Sequence, residues 1–232
     1  MAIAIIPARG GSKRIPRKNL KSFCGKPMLS YAIEAAKSSR CFDHIVVSTD
    51  DPEIAQLAQE YGATVPFLRD SALADDYVGT TPVVIDTIDR LEQQCQLVDK
   101  SYCCIYATSP LLDGATLKRA LAQLHQSGAA YVFSAAEYPF PIQRALRRDS
   151  QGFIQPFYPE HIGKRSQDLE TAYQDAGQFY WGTREAWLSG QGVFEGGGQA
   201  LILPRYKVVD IDTPDDWRMA EMLYQSLHAA ID

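Results

Sequence analysis

The chain opens on a short apolar run, Ala2-Ile-Ala-Ile-Ile6, which predicts a buried strand. After the turn at Gly25-Lys-Pro27, the stretch from Leu29 to Lys37 predicts a helix. His44 to Thr49 reads as a second strand. Asp51-Pro52 then places a capping side chain before a first-turn proline, predicting a helix through Tyr61 that Gly62 closes. Thr81-Pro82 starts a longer helix to about Leu97, and Tyr102 to Ala107 is a third strand. Asp113 to Gln126 is again helical, and Tyr131 to Ala135 is a fourth strand. Strands alternating with helices predict an α/β, Rossmann-like fold: a mixed, mostly parallel sheet with helices on both faces.

That rhythm breaks between about Pro139 and Ala172, a segment rich in Pro, Gln, Arg and Tyr with no clear period. It reads as an arm of a single domain, 1–232, serving as a lid or for dimerisation. Regular structure resumes at Ala176 to Trp181. A Gly-rich turn, Gly190 to Gly198, leads to strands at Ala200 to Leu203 and Lys207 to Asp212. Thr213-Pro-Asp-Asp216 then caps a last helix to about Ile231.

Composition narrows the function. A net charge of -5 argues against a nucleic-acid polymer as partner, although a local basic cluster can still draw in one small anion. No apolar run reaches the ~18 residues of a membrane helix. Met1 to Pro7 is too short for a signal segment, so a cytoplasmic protein is expected. Five cysteines without C-x-x-C spacing read as buried reduced thiols, and four scattered histidines predict no zinc site.

The most informative segment is Ile5-Ile-Pro-Ala-Arg-Gly-Gly-Ser-Lys-Arg-Ile-Pro-Arg-Lys-Asn19. It leaves a buried strand at the end of the sheet where open α/β folds bind ligands. Gly10 and Gly11 let backbone N–H groups approach a phosphate, and Ser12 adds a hydroxyl. Arg9, Lys13, Arg14, Arg17 and Lys18 place five cations within ten residues, a match for a triphosphate. A solvated basic loop is the plainer alternative. Neither a Walker A loop nor G-x-G-x-x-G is present.

I-P-A-R-G-G-S-K-x-x-P-x-K-N resembles the signature of the CMP-nonulosonate synthetases, cytidylyltransferases that activate sialic, pseudaminic and legionaminic acids, with the Kdo enzyme a more distant relative. The resemblance runs over nearly the whole chain. It is closest to the pseudaminate branch through Arg165-Ser-Gln-Asp-Leu-Glu170 and Ala172-Tyr-Gln-Asp-Ala-Gly-Gln-Phe-Tyr-Trp181. It implies that Arg9 and Lys18 contact the triphosphate of CTP, that Ala8, Gly10, Gly11, Ser12 and Lys13 line it, and that Asn19 stands near the ribose or base. It also implies a homodimer, and a product used in surface-glycan or flagellin glycosylation.

Arg69 fits the family's position for a guanidinium on the cytosine edge, where it can donate to O2 and N3. The alternative is a surface ion pair with Asp70 or Asp75. Val78 and Thr80 match positions lining base and ribose. In Val208-Val-Asp-Ile-Asp-Thr213, a strand would put Asp210 and Asp212 on one face, a carboxylate pair suited to Mg²⁺. Asp212 could instead serve only as a helix cap. The resemblance assigns the pair to metal binding and Asp212 to catalysis.

Tyr106, beside Thr108-Ser-Pro110, stands where sialic acid enzymes carry Gln, which points to a sugar with a deoxy methyl end; a core tyrosine is the alternative. Gln143, Arg144, Arg165 and Gln167 in the arm are candidates to clamp the sugar's carboxylate, with Gln178 near its ring. The implied reaction is attack by the anomeric hydroxyl of a nine-carbon keto sugar acid on the α-phosphorus of CTP, releasing pyrophosphate. No histidine suggests itself as the base. The alternatives are a CMP-sialate, CMP-legionaminate or CMP-Kdo synthetase and, in another class, a catalytically silent nucleotide-binding protein.

Overall fold

The computed structural model describes residues 2–74 and 78–229. Strand β1 (Ile3–Pro7) leads through a small hairpin, β2 (Ser22–Phe23) and β3 (Lys26–Pro27), into α1 (Met28–Ser39). Next come β4 (His44–Ser48), α2 (Pro52–Glu60), α3 (Thr80–Cys95), β5 (Ser101–Ile105), α4 (Gly114–Ser127) and β6 (Tyr131–Glu137). A second hairpin, β7 (Leu146–Arg148) and β8 (Ile154–Pro156), precedes the long β9 (Tyr173–Thr183). The chain finishes with α5 (Arg184–Leu188), β10 (Gly198–Ile202) and α6 (Pro214–His228).

Six strands form the central sheet in the order β10-β6-β9-β5-β1-β4. β1 runs parallel to β4 and β5, and β10 parallel to β6. β9 lies between β5 and β6, antiparallel to both, so the sheet is mixed and mostly parallel as expected. Alternate residues of β1 feed opposite cores. Ala4 and Ile6 pack with Leu29 and Ile33 of α1 and Leu117 of α4, whereas Ile3 and Ile5 pack with Val84 and Ile88 of α3 and Trp187 of α5. A strand covered on both faces needs apolar residues at every position, which is why its sequence is a continuous run.

The caps fall where the sequence places them. Asp51 Oδ1 accepts from Glu53 N at 2.8 Å, with Pro52 in the first turn of α2, and Gly62 follows with φ +89°. Thr213 and Asp216 form a reciprocal capping box at the start of α6. The end proposed for that helix, Ile231, lies outside the described residues, as does Asp75.

One expected strand is absent. A 3-10 turn, Arg205–Lys207, runs into the segment from Lys207 to Asp212, and residues 208–212 form a loop. Its apolar alternation is real, but a packing surface satisfies it instead of a ladder. Ile211 is fully buried against Ile15, Phe23 and Trp217, with Val209 packed alongside. The cysteines also differ in part: Cys41, Cys103 and Cys104 are buried, but Cys24 and Cys95 are half-buried, and all five are unpaired.

Candidate functional site

Three sheet strands, β1, β4 and β5, end side by side, and the loop after β1 folds over that edge. Asn19 is buried there, its Nδ2 donating to the Arg9 carbonyl at 3.0 Å, while its own carbonyl accepts from Leu29 N. The loop is thus cross-braced at both ends. Ala8 N donates to the Ser48 carbonyl at 2.9 Å, which ties the loop's start to β4.

Two aspartates after β4 hold its middle. Gly10 N–H donates to Asp50 Oδ1 at 3.0 Å. That bond corrects one expectation, because the Gly10 N–H is committed to a carboxylate rather than offered to a phosphate. A Cβ on Gly10 would lie 2.5 Å from Asp51 Oδ2, so a larger residue here would have to displace the Asp51 side chain. Arg17 ion-pairs with Asp51 and, at 2.6 Å, with Glu53. It does so from a left-handed backbone (φ +56°), a conformation costing about 1–2 kcal/mol in an L-residue. Arg17 is therefore a strut of the loop rather than part of its anion site. Gly11 is exposed, with open space where a Cβ would be.

The loop also reaches the segment before α6. Lys18 Nζ donates to the Ile211 carbonyl at 2.6 Å and lies 3.6 Å from Asp212, and Arg14 pairs with the same carboxylate at 2.8 Å. Burial lowers the Lys18 pKa, and the charges of Asp212 and Asp210 oppose that shift. The Asp210 carboxyl is pushed above its usual range, first by lost solvent and then by Asp212. The two aspartates therefore do stand close enough to repel, but from a loop and not from one face of a strand.

Three adjoining hollows open here. One, about 380 Å³, is lined by Ser12, Lys13, Arg14 and Asp212 together with Arg9, Lys18 and Asn19. Those last three also line a second of about 250 Å³, whose far wall holds Arg69, Val78, Thr80 and Tyr106. Thr80 and Tyr106 are shared in turn with a third of about 350 Å³, walled by Asp175, Tyr180, Trp187 and Phe194. None of the four histidines lines any of the three.

Arg69 is buried rather than paired on the surface. Its Nε donates to Ser48 Oγ at 3.2 Å, one terminal nitrogen bonds the Ser48 carbonyl, and the other reaches the Leu73 carbonyl at 3.4 Å. These bonds hold the guanidinium plane in the wall of the cleft. Tyr106 packs on the core below, bonds Thr80 Oγ1 at 2.9 Å and stands as a partition between two hollows.

The proposed sugar clamp is not assembled by this chain. Gln143 donates to the Glu170 carbonyl, Arg144 to that of Lys164, and Arg165 pairs with Asp168, all within the arm. Gln143 and Arg144 line a separate hollow there, and Gln167 lines another. Gln178 is buried and donates to the Lys207 carbonyl at 2.6 Å, so it anchors the loop before Asp210 and lines none of the three hollows. The sequence reading missed Asp50 as a brace and Asp175 and Tyr180 as pocket walls. For Asp50 the available signal was its position immediately after β4, at the ligand-binding edge.

Comparison with known proteins identifies the family. The cytidylyltransferase family model matches residues 3–150. A pseudaminic acid cytidylyltransferase of Campylobacter jejuni is 47% identical over 226 residues, 97% of each chain. A CMP-N,N'-diacetyllegionaminic acid synthase of Legionella pneumophila is 34% identical over 230 residues, 96% of each. A CMP-2-keto-3-deoxy-manno-octonic acid synthetase solved with CTP superposes with a TM-score of 0.70 at 16% identity, covering 97% of this chain and 99% of that one.

Proposed function

The chain belongs to the cytidylyltransferase family, and from that premise we propose that it joins CMP from CTP to the anomeric hydroxyl of pseudaminic acid, releasing pyrophosphate. The observation that carries this reading is the chain of three hollows, cationic, then narrow, then aromatic, each sharing residues with the next. The first takes the triphosphate on Arg9, Lys13 and Lys18. The second takes ribose and cytosine between Asn19, Arg69, Val78 and Thr80. Arg69 spends three of its five N–H groups on Ser48 and Leu73, which leaves two for the pyrimidine's O2 and N3. The third, beyond Tyr106, receives the sugar.

Asp210 and Asp212 fit a Mg²⁺ ion in donor chemistry, being two mutually repelling carboxylates beside the phosphate hollow. Among the described residues no group of three or more acidic, histidine or cysteine side chains is placed to hold a metal ion alone, so phosphate oxygens and water would complete the shell. When bound, the ion supplies charge neutralisation at the α-phosphate. Arg14 and Lys18, which pair with Asp212, would then turn to the phosphates. The rest is positioning: Lys18 and Arg9 stabilise charge growing on the pyrophosphate, and Tyr106 sets where the hydroxyl stands.

The arm suits a homodimer. Phe140, Phe153 and Ile162 are 78, 67 and 70% exposed, a density of large apolar groups that a second copy would cover. Gln143, Arg144, Arg165 and Gln167 would reach a sugar only across such an interface. No helix of the described residues is long and apolar enough to cross a membrane, and a CTP-using enzyme of this kind would work in the cytoplasm.

The test is pyrophosphate release with CTP and Mg²⁺ across pseudaminic, legionaminic, sialic and Kdo acids. Turnover highest with pseudaminic acid is expected. Preference for legionaminic acid would favour the second reading, which the Legionella relative supports. Absence of turnover with every acid would leave a silent nucleotide-binding protein, despite the presence of Lys18, Asp210 and Asp212.

A further inference from the structure

The hollow beyond Tyr106 has a charge opposite to that of the phosphate hollow. Its lining includes two carboxylates, Asp175 and Glu195, and among the described residues no lysine, arginine or histidine. The phosphate hollow is lined by Arg9, Lys13, Arg14 and Lys18. A nonulosonic acid carries one carboxylate at one end, so the two hollows would act on it in opposite directions.

Asp175 is also rigidly held, unlike most exposed carboxylates. The buried Tyr180 hydroxyl donates to its Oδ2, and Gly177 N–H donates to Oδ1 at 3.0 Å. The Tyr180 and Tyr106 rings lie 5.3 Å apart, and Tyr106 bonds Thr80. An ionised carboxylate only accepts, so the Tyr180 hydroxyl spends its proton on Asp175. The exposed carboxylate keeps lone pairs for one more donor, beside an apolar wall of Trp187, Val193 and Phe194. An N–H next to an acyl methyl is a group that uses both.

We propose that Asp175 is a specificity-determining residue for the acceptor: its fixed charge accepts an acylamino N–H from the end of the sugar remote from its carboxylate and turns away acceptors bearing a second negative group there. This rests on reading the third hollow as the acceptor site.

The experiment compares pseudaminic acid with an analogue in which one N-acetyl is replaced by N-succinyl, measuring pyrophosphate release by wild type, Asp175→Asn and Asp175→Glu. Hydrogen bonds to charged groups support an expected rise of about 10- to 100-fold in KM for pseudaminic acid in Asp175→Asn. KM for CTP should stay within about threefold, and discrimination against the succinyl analogue should fall at least about tenfold. Asp175→Glu should keep most of the discrimination. Unchanged discrimination in Asp175→Asn, or an equal rise in both KM values, overturns the proposal. A wild type that turns over no nonulosonic acid overturns the acceptor reading itself, which separates the two failures.

Discussion

The loop after β1 and the arm of 139–172 are both irregular, both rich in cations, and built on opposite principles. Every bend of the loop is braced from inside its own chain: Asn19 to Arg9, Gly10 to Asp50, Arg17 to Asp51, Lys18 to Ile211. The arm has a two-stranded hairpin, three one-turn helices and large apolar side chains facing out. Irregular backbone that is braced makes a preorganised site, whereas irregular backbone that exposes phenylalanine makes a surface for something else.

Changing the cleft should therefore alter chemistry without altering assembly, and changing the arm should do the reverse. The largest effect is expected from Asp212→Asn, with kcat/KM down by at least about 10³ and an unchanged circular dichroism spectrum. Activity within tenfold of wild type would end the metal role. Next, Phe140→Glu with Phe153→Glu should convert the proposed dimer to a species near 25.8 kDa by light scattering, leaving CTP affinity within about threefold. An unaltered mass would remove the arm from the interface.

A smaller effect belongs to Gly114→Ala, whose Cβ would sit 2.5 Å from Ser39 N where α4 meets α1. Overpacking there should cost about 1–3 kcal/mol, lowering Tm by roughly 2–4 °C for each kcal/mol. Asp51→Ala removes a cap worth about 1 kcal/mol and also frees Arg17, so KM for CTP should rise while the mass in solution stays that of wild type.

The smallest effect concerns pH. Asp210 has a raised folded pKa, so its ionised form costs stability above the unfolded value, and that cost disappears as pH falls through the folded one. Asp210→Asn should thus raise the metal-free Tm slightly at pH 7 while lowering turnover. A fall in Tm would mean that Asp210 is held by favourable contacts.

The same contrast explains what was legible in the sequence. β1, α2 and the caps at Asp51 and Thr213 follow from local rules, because covered strands and orphan helix N–H groups leave periodic or fixed-offset marks. Lys207 to Asp212 has the mark of a strand without being one, since alternation records only that one side is buried and not what buries it. The phosphate cations were visible as a cluster, but the division of labour among them was not: Arg17 became a strut only when Asp51, 34 positions away, came beside it. Asp175 carries no local signal, because its meaning depends on Tyr180 and on the hollow beyond Tyr106.

The central claim is that the chain moves CMP, and not another fragment, onto a sugar acid. Single-turnover reaction of CTP labelled at the α-phosphorus with pseudaminic acid and Mg²⁺ tests it most directly. Label appearing in a sugar nucleotide at the rate at which unlabelled pyrophosphate is released is the expected result. Label remaining in CTP, or released as inorganic phosphate or pyrophosphate, would contradict it.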